Sequence, residues 1–326
     1  MTHKIAAVTG ANGFLGCHIV TRLLRDGYHV KSLVRDKLKA QQLPELKNTE
    51  LVEYQLDNIS SIKKAIKNTQ LLIHAAALHT RSLAQKKQIL ETNVTGTENV
   101  IKAIDNIDQF VFVSSIRSLM TTKKSLITET TPYDFAKFDT PYGSSKYLAE
   151  QTCLNYFHSH RLPLYLINPA VIIGPNDLQP SYNGKLIRKH LRQSVVFVTP
   201  AMWSIVDVRD VADSIPFVLT NGKMGEKHIV CSTHLTLEKF FSYIDQSAHQ
   251  KKIYITVPYL PLKLAGVTFE LLEKIIPSFD PPIVGSGADI ARLQIHFSGD
   301  KLKKMGFHYR QPHQTIQDTV NWFLHP

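Results

Sequence analysis

The sequence predicts a doubly wound α/β fold, a parallel sheet covered by helices on both faces, with a smaller, mostly helical C-terminal lobe. Three observations predict it. Apolar, β-rich runs alternate with helical patterns through the first half of the chain. Those runs are apolar almost without interruption, as in strands buried on both sides. Beyond about residue 170 prolines gather (Pro175, Pro180, Pro200, Pro258, Pro261) and the alternation is lost.

In order, residues 4–9 (KIAAVT) read as a strand, 14–26 as a helix and 28–34 (YHVKSLV) as a second strand. LLIHAAA at 71–77 reads as a buried strand, 93–104 as a helix, QFVFVSS at 109–115 as a strand, 142–158 as a long helix and PLYLINP at 163–169 as a further strand. SIVDVRDVADSI at 204–215 looks like a return to the first lobe. The expected division is a dinucleotide-binding lobe of 1–168 with 203–233 and a substrate lobe of 169–202 with 234–326. The chain has no internal repeat and no low-complexity segment.

Composition narrows the classes. The 326 residues are 43% apolar, enough for a sizeable core and too many for a disordered chain. Three cysteines, Cys17, Cys153 and Cys231, form no C-x-x-C pair. A reducing, cytoplasmic setting without a disulfide framework is expected. Met1-Thr2-His3-Lys4 leads straight into a strand-like run without a signal-peptide core. The apolar stretch at 258–278 is interrupted by Lys263, Glu270, Glu273 and Lys274, which suits an amphipathic helix of the second lobe rather than a membrane span. The net charge of +11 is scattered, with pairs at Lys63-Lys64, Lys123-Lys124 and Lys303-Lys304. It reads as a basic solvated surface that attracts an anionic cofactor, not as a nucleic-acid face.

Strand one ends in Thr9-Gly10-Ala11-Asn12-Gly13-Phe14-Leu15-Gly16 and a helix follows. Glycines at 10, 13 and 16 permit a tight turn, close approach of backbone to a pyrophosphate, and close helix–strand packing. The helix N-terminus then offers free N–H groups to phosphates. Strand two ends in Leu33-Val34-Arg35-Asp36. NAD binders usually place an acid there for the ribose hydroxyls. Val34 takes that position, and Arg35, with Lys37 and Lys39 nearby, can hold a 2′-phosphate bidentately. NADP(H) is therefore the preferred cofactor, with Asp36 leaving NAD(H) open.

Tyr142-Gly143-Ser144-Ser145-Lys146 puts a phenol and an ammonium one helical turn apart. The ammonium is expected to lower the phenol pKa and make Tyr142 a general acid/base. Ser115 ends a strand 27 residues earlier, where parallel sheets bind ligands, and its hydroxyl can orient a substrate oxygen. Asn93 either fixes a group beside Lys146 or caps its helix. His74, on a buried strand, reads as a satisfied core histidine. His79, Arg117, Tyr182, Trp203 and Arg209 fall in segments that can face a substrate, although Arg209 can instead pair with Asp207 or Asp210. No histidine spacing points to a metal.

These blocks, VTGANGFLG at 8–16, IHAAA at 73–77, NVTGTENV at 93–100, FVFVSS at 110–115, YGSSK at 142–146, INPAVIIGP at 167–175 and VDVRDVAD at 206–213, resemble in order the extended short-chain dehydrogenase/reductases. They are most similar to the dihydroflavonol reductase-like branch of the epimerase/dehydratase family. The resemblance implies a Rossmann fold and oxidoreduction of a CH–OH or C=O group of a small, apolar or aromatic substrate. It implies pyrophosphate contacts from Gly10, Gly13, Phe14, Leu15 and Gly16, with Ala75, Ala76 and Ala77 along the adenosine ribose. Lys146 would hold the nicotinamide ribose, Pro169 and Ile172 would flank the nicotinamide, and Ser115, Tyr142, Lys146 and Asn93 would form the catalytic set. It also implies a homodimer through two helices.

The sequence departs from the branch in two places. Gln55-Leu56 stands for the usual Asp-Leu by the adenine, with Asp57 close by, and Asn168 replaces a frequent arginine before Pro169. Two rivals are a nucleotide-sugar epimerase or dehydratase with tightly bound NAD, and a non-catalytic dinucleotide sensor. Ile116-Arg117-Ser118-Leu119-Met120 lacks the dehydratase Asp-Glu and the epimerase Val-Tyr-Gly, and a sensor typically loses the tyrosine or lysine kept here. The apolar runs at 257–262 and 267–272 can line a substrate pocket or pack the second lobe.

Overall fold

Alternating residues of the central strands bury apolar side chains on opposite faces, and this makes the sheet the middle layer of three. In the computed structural model, which describes residues 4–79, 82–122, 125–178, 180–276 and 285–325, Ala6, Val8, Ile73, Val111 and Val113 enter one core. Ala7, Leu72, Phe110 and Phe112 enter another on the far side. Helices Phe14–Arg25 and Val208–Asn221 cover the first core; Ile59–Ala65, Gly96–Lys102 and Pro141–His160 cover the second. The expected pair Lys123-Lys124 and the end of the apolar 258–278 stretch lie outside the described residues.

The strands are β1 (Ile5–Thr9), β2 (His29–Val34), β3 (Glu50–Glu53), β4 (Leu71–His74), β5 (Gln109–Val113), β6 (Leu126–Ile127), β7 (Leu164–Pro169), β8 (Val171–Ile173), β9 (Val195–Val198), β10 (Met202–Asp207), β11 (Lys227–Val230), β12 (Thr233–Thr236), β13 (Ile253–Thr256) and β14 (His296–Phe297). Seven form the central sheet in the order β11-β7-β5-β4-β1-β2-β3. All its pairings are parallel. The chain winds one way from β1 to β3 and the other way from β4 onward. The crevice outside the carboxyl ends of β1 and β4 is thus the switch point at which such sheets bind ligands. Thr9 and His74, register partners, stand at that edge.

Two details differ from the sequence expectation. The 204–215 segment splits: β10 pairs with β8 and β12 in a separate three-stranded sheet, and only the helix after it packs back beside Phe14–Arg25. The second lobe also carries strand, with β9 and β13 as a parallel pair around a core of Ile187, Val196, Ile205, Phe240, Phe241 and Ile316. The short strands at the β9–β13 ribbon lack the long apolar runs that mark β4 or β7. Cys17, Cys153 and Cys231 are buried and free.

Candidate active site

The phosphate loop is built by exclusion of side chains. Gly10 sits at φ +70°, where L side chains rarely go. A Cβ on it would meet the Ala76 backbone at 2.8 Å. A Cβ on Gly16 would stand 2.0 Å from the Gly10 carbonyl oxygen. Gly13 is the exposed N-cap of helix Phe14–Arg25, with no side chain bonded over it and no acid in the first turn. The bare amides and positive helix end suit an anionic pyrophosphate. Asn12, Phe14 and Leu15 complete the rim.

Beyond β2, Arg35 is exposed. It lies close enough to Tyr54 for its charge to oppose the burial that pushes that phenol up to about 12. Asp36 has another duty. Its carboxylate accepts from the Lys39 amide at 3.0 Å as N-cap of Lys37–Ala40 and pairs with the Lys39 ammonium at 3.4 Å. Gln55 is exposed, and Leu56 is held by Asn99 Nδ2 on its carbonyl at 3.1 Å. Ala75, Ala76 and Ala77 follow β4 directly across from the glycines.

A chain of hydrogen bonds ties these parts together. The Ala76 amide donates to Thr9 Oγ1 (3.1 Å), which lies 2.7 Å from His74 Nδ1. His74 Nε2 lies 3.1 Å from Thr97 Oγ1, which donates to the Asn93 carbonyl at 2.5 Å. Each hydroxyl has one proton, so the chain fixes a neutral His74 with its proton on Nε2. Burial, with Lys146 nearby, lowers the His74 pKa to about 3. Below pH 6.5 the unfolded chain takes a proton that the folded chain refuses until about pH 3. Stability is expected to fall through that window by on the order of 4 kcal/mol from this residue alone. Urea unfolding at pH 7 and pH 4 of the native chain and His74→Gln checks this; equal pH slopes would refute it.

Asn93 does not cap a helix. It sits in a π-helical turn, Glu91–Thr95, inside the helical run that starts at Lys86. Its amide clamps Leu78 from both sides, accepting from the Leu78 N–H (2.7 Å) and donating to the Leu78 carbonyl (2.9 Å), and reaches Ser145 Oγ at 2.9 Å.

Pro141 and the Thr140 cap, whose hydroxyl accepts from the Gly143 amide, start the helix that carries the expected pair. Lys146 is buried and donates to the Val113 carbonyl at 2.7 Å, over the Phe112 ring. Burial lowers its pKa to about 8, opposed by Cys153 and Glu150. Tyr142 behaves contrary to expectation. Burial raises its pKa, and the groups that oppose this are Ser115 and Arg117, not Lys146. The ammonium is turned to the backbone, which explains the difference.

His79 brings together two tyrosines distant in sequence: its ring lies 4.3 Å from that of Tyr142 and 5.5 Å from that of Tyr182. Arg117 joins them electrostatically. Trp203 instead packs on Phe240 in the core of the second lobe. Arg209 is bound to Asp207 and Asp318, each at 2.6 Å; Asp207 was an anticipated partner and Asp318 was not. Pro169 closes β7, and Ile172 lies on β8, where its carbonyl accepts from Asn183 at 3.3 Å.

Sequence reasoning missed the support beneath the site. Glu150 is fully buried one turn beyond Lys146. Its Oε2 accepts from Ser114 (2.6 Å), Ser118 (2.9 Å) and Asn168 (2.7 Å), and Oε1 pairs with Lys227 at 2.6 Å. Asn168 therefore faces the interior. The available signal was an acid four residues after Lys146 on a helix face that must be buried.

The sequence profile of the NAD dependent epimerase/dehydratase family matches residues 6–231. The chain belongs to that family. Among family relatives, it is 28% identical to cinnamoyl-CoA reductase 2 of Medicago truncatula, over 97% of this chain and 90% of that protein. It is 24% identical to a bifunctional dihydroflavonol 4-reductase/flavanone 4-reductase of Pyrus communis, over 93% and 85%. The crystal structure of gox2253 superposes with a TM-score of 0.84 at 26% identity, covering 99% of this chain and 98% of that one. The NAD complex of a Bacillus anthracis dTDP-glucose 4,6-dehydratase shares the fold, with a TM-score of 0.74 at 19% identity over 98% and 96%. As a member of the epimerase/dehydratase family the chain is an NAD(P)-dependent oxidoreductase, and a nicotinamide dinucleotide is its cofactor.

Proposed function

We propose that this enzyme reduces the carbonyl of a small apolar or aromatic compound, or oxidises the corresponding alcohol, with NADP(H) preferred. The observation that carries the reading is Tyr142: a half-buried phenol beside Ser115 and Arg117, its pKa raised by burial, with the ring of His79 against it and that of Tyr182 on the far side of His79. A phenol that keeps its proton at neutral pH is ready to donate it to an oxygen turning into an alcohol. Ser115 orients that oxygen. Lys146, with a pKa of about 8, is charged at neutral pH and adds positive charge beside the site. The bound nicotinamide supplies or takes the hydride. The rings of His79 and Tyr182 offer a stacking surface that suits an aromatic substrate. The names of the cinnamoyl-CoA and dihydroflavonol reductases support the same class.

The rival reading as a nucleotide-sugar epimerase has less support, because Arg209, which such a reading needs as the cation for the sugar nucleotide's diphosphate, is committed to Asp207 and Asp318. The division into a dinucleotide lobe (1–168 with 203–233, of which β10 pairs outside the central sheet) and a substrate lobe (169–202 with 234–326), and a homodimer through two helices, belong to the same proposal. The deciding experiment follows NADPH consumption across a broad carbonyl panel, with NADH in parallel. Turnover of aromatic ketones or aldehydes is expected; stabilisation by UDP- or dTDP-sugars alone would promote the epimerase reading.

The cofactor preference has its own test. Asp36 is engaged as a helix cap and Arg35 is exposed beside it. Arg35→Asp is expected to weaken NADPH binding by about tenfold to a hundredfold, the scale of a charge-assisted pair, and NADH far less. Fluorescence titration of both cofactors reads this. Equal affinities in the native protein would remove the basis of the claim.

A further inference from the structure

The apolar segments that sequence reading offered as pocket lining lie on the surface. On helix Tyr259–Ile275, Leu260, Leu264, Val267, Leu271 and Ile275 recur at intervals of four and three and are all exposed, Leu264 at 62% and Ile275 at 76%. Another face of this helix is the pinned one: Tyr259 and Lys263 bond Asp289, at 2.7 and 2.5 Å. The helix follows directly from the β9–β13 ribbon, whose register sets Val195 beside Ile253 and Phe197 beside Ile255. All four point outward, and Phe197 and Ile253 are each 65% exposed. Soluble surfaces carry such side chains singly and seldom gather them.

The ribbon has a basic rim. Because its strands are parallel, the residues before β9 and before β13 meet at one end. Lys185, Arg188, Lys189, Arg192 and Lys251 are exposed there. No acid occurs in 185–198 or 249–258. Of the acids near the ribbon, Asp245 is buried and bound to His190 at 2.7 Å and Tyr254 at 2.5 Å, whereas Glu238, close enough to raise the Tyr254 pKa, is exposed.

We propose that the ribbon and the following helix are a docking surface for an anionic lipid bilayer. Phe197, Ile253, Ile255 and the leucine stripe enter the headgroup boundary, and the basic rim meets lipid phosphates. Neither attraction alone gives stable attachment, and the two together do. A second copy of the chain is the alternative occupant that the light-scattering arm of the test reads. Among the described residues no helix is long and apolar enough to cross a membrane, so attachment is to one leaflet.

The test is co-sedimentation of the full chain with vesicles of phosphatidylcholine, with and without phosphatidylglycerol. Binding to the anionic vesicles is expected to exceed binding to the neutral ones by about tenfold and to weaken with salt. Phe197→Ser with Ile253→Ser, and separately Arg188→Gln with Arg192→Gln and Lys251→Gln, should each lower it by about tenfold at an unchanged melting temperature. Leu264→Ser gives the same reading if the serine pair melts early. Several results would overturn the proposal: no binding to either vesicle, binding indifferent to the serine variants, a dimer by light scattering that the serine variants dissociate, or capture by soluble polyglutamate without vesicle binding.

Discussion

Replacing Tyr142 by Phe is expected to lower kcat by about three orders of magnitude, the scale of a general acid, while leaving NADPH affinity within about twofold. The phenol oxygen is the one atom removed. The ring stays, so its contact with His79 at 4.3 Å and the start of the helix remain. Lys146→Ala should differ in kind. It removes a buried donor from the Val113 carbonyl and the positive charge beside the site, so cofactor affinity and turnover should fall together. Single-turnover kinetics with a titration of NADPH separates the two patterns. A Tyr142→Phe enzyme with near-native turnover would sink the mechanism, whatever the substrate.

Glu150→Gln is the second large expected effect, and it concerns stability. Three donors converge on Oε2, and the Lys227 ammonium sits on Oε1. An amide cannot serve both sets: its oxygen can face the three donors, but its NH₂ then faces an ammonium with no acceptor between them. Breaking a buried ion pair from one side costs about 3–5 kcal/mol. Adding Lys227→Met removes the stranded charge and should restore part of that loss, which a double-mutant cycle in urea would read. A Glu150→Gln midpoint equal to the native one would show that the network is not under tension.

How much of this was legible follows from the range of each interaction. The glycine loop, the Tyr142–Lys146 spacing and the apolar strands are local patterns, and all were readable. So was the satisfied state of His74, because a polar residue inside LLIHAAA has few other options. The missing parts are pairings over long sequence separations. Asp318 reaches Arg209 from helix Pro312–Leu324, and Asn168 reaches Glu150 across the strand–helix interface. The direction of the Tyr142 pKa was misjudged because i,i+4 spacing sets proximity, whereas the Val113 carbonyl decides where the ammonium points. The 204–215 segment was misplaced in part because a short apolar strand does not announce which sheet it will join.

The hydrogen-bond chain from Ala76 through Thr9, His74 and Thr97 to Asn93 also constrains how this protein can vary. Every proton in it is assigned, so the chain has one polarity and no slack. A single replacement at Thr9, His74 or Thr97 leaves its neighbour with a buried donor or acceptor facing nothing, about 1–3 kcal/mol each time. Exchanges that survive must therefore come in matched sets, or swap the whole row for apolar side chains that fill the same space. Drift at these positions should be correlated across the ligand crevice, so that residues 9, 74 and 97 behave as one inherited character.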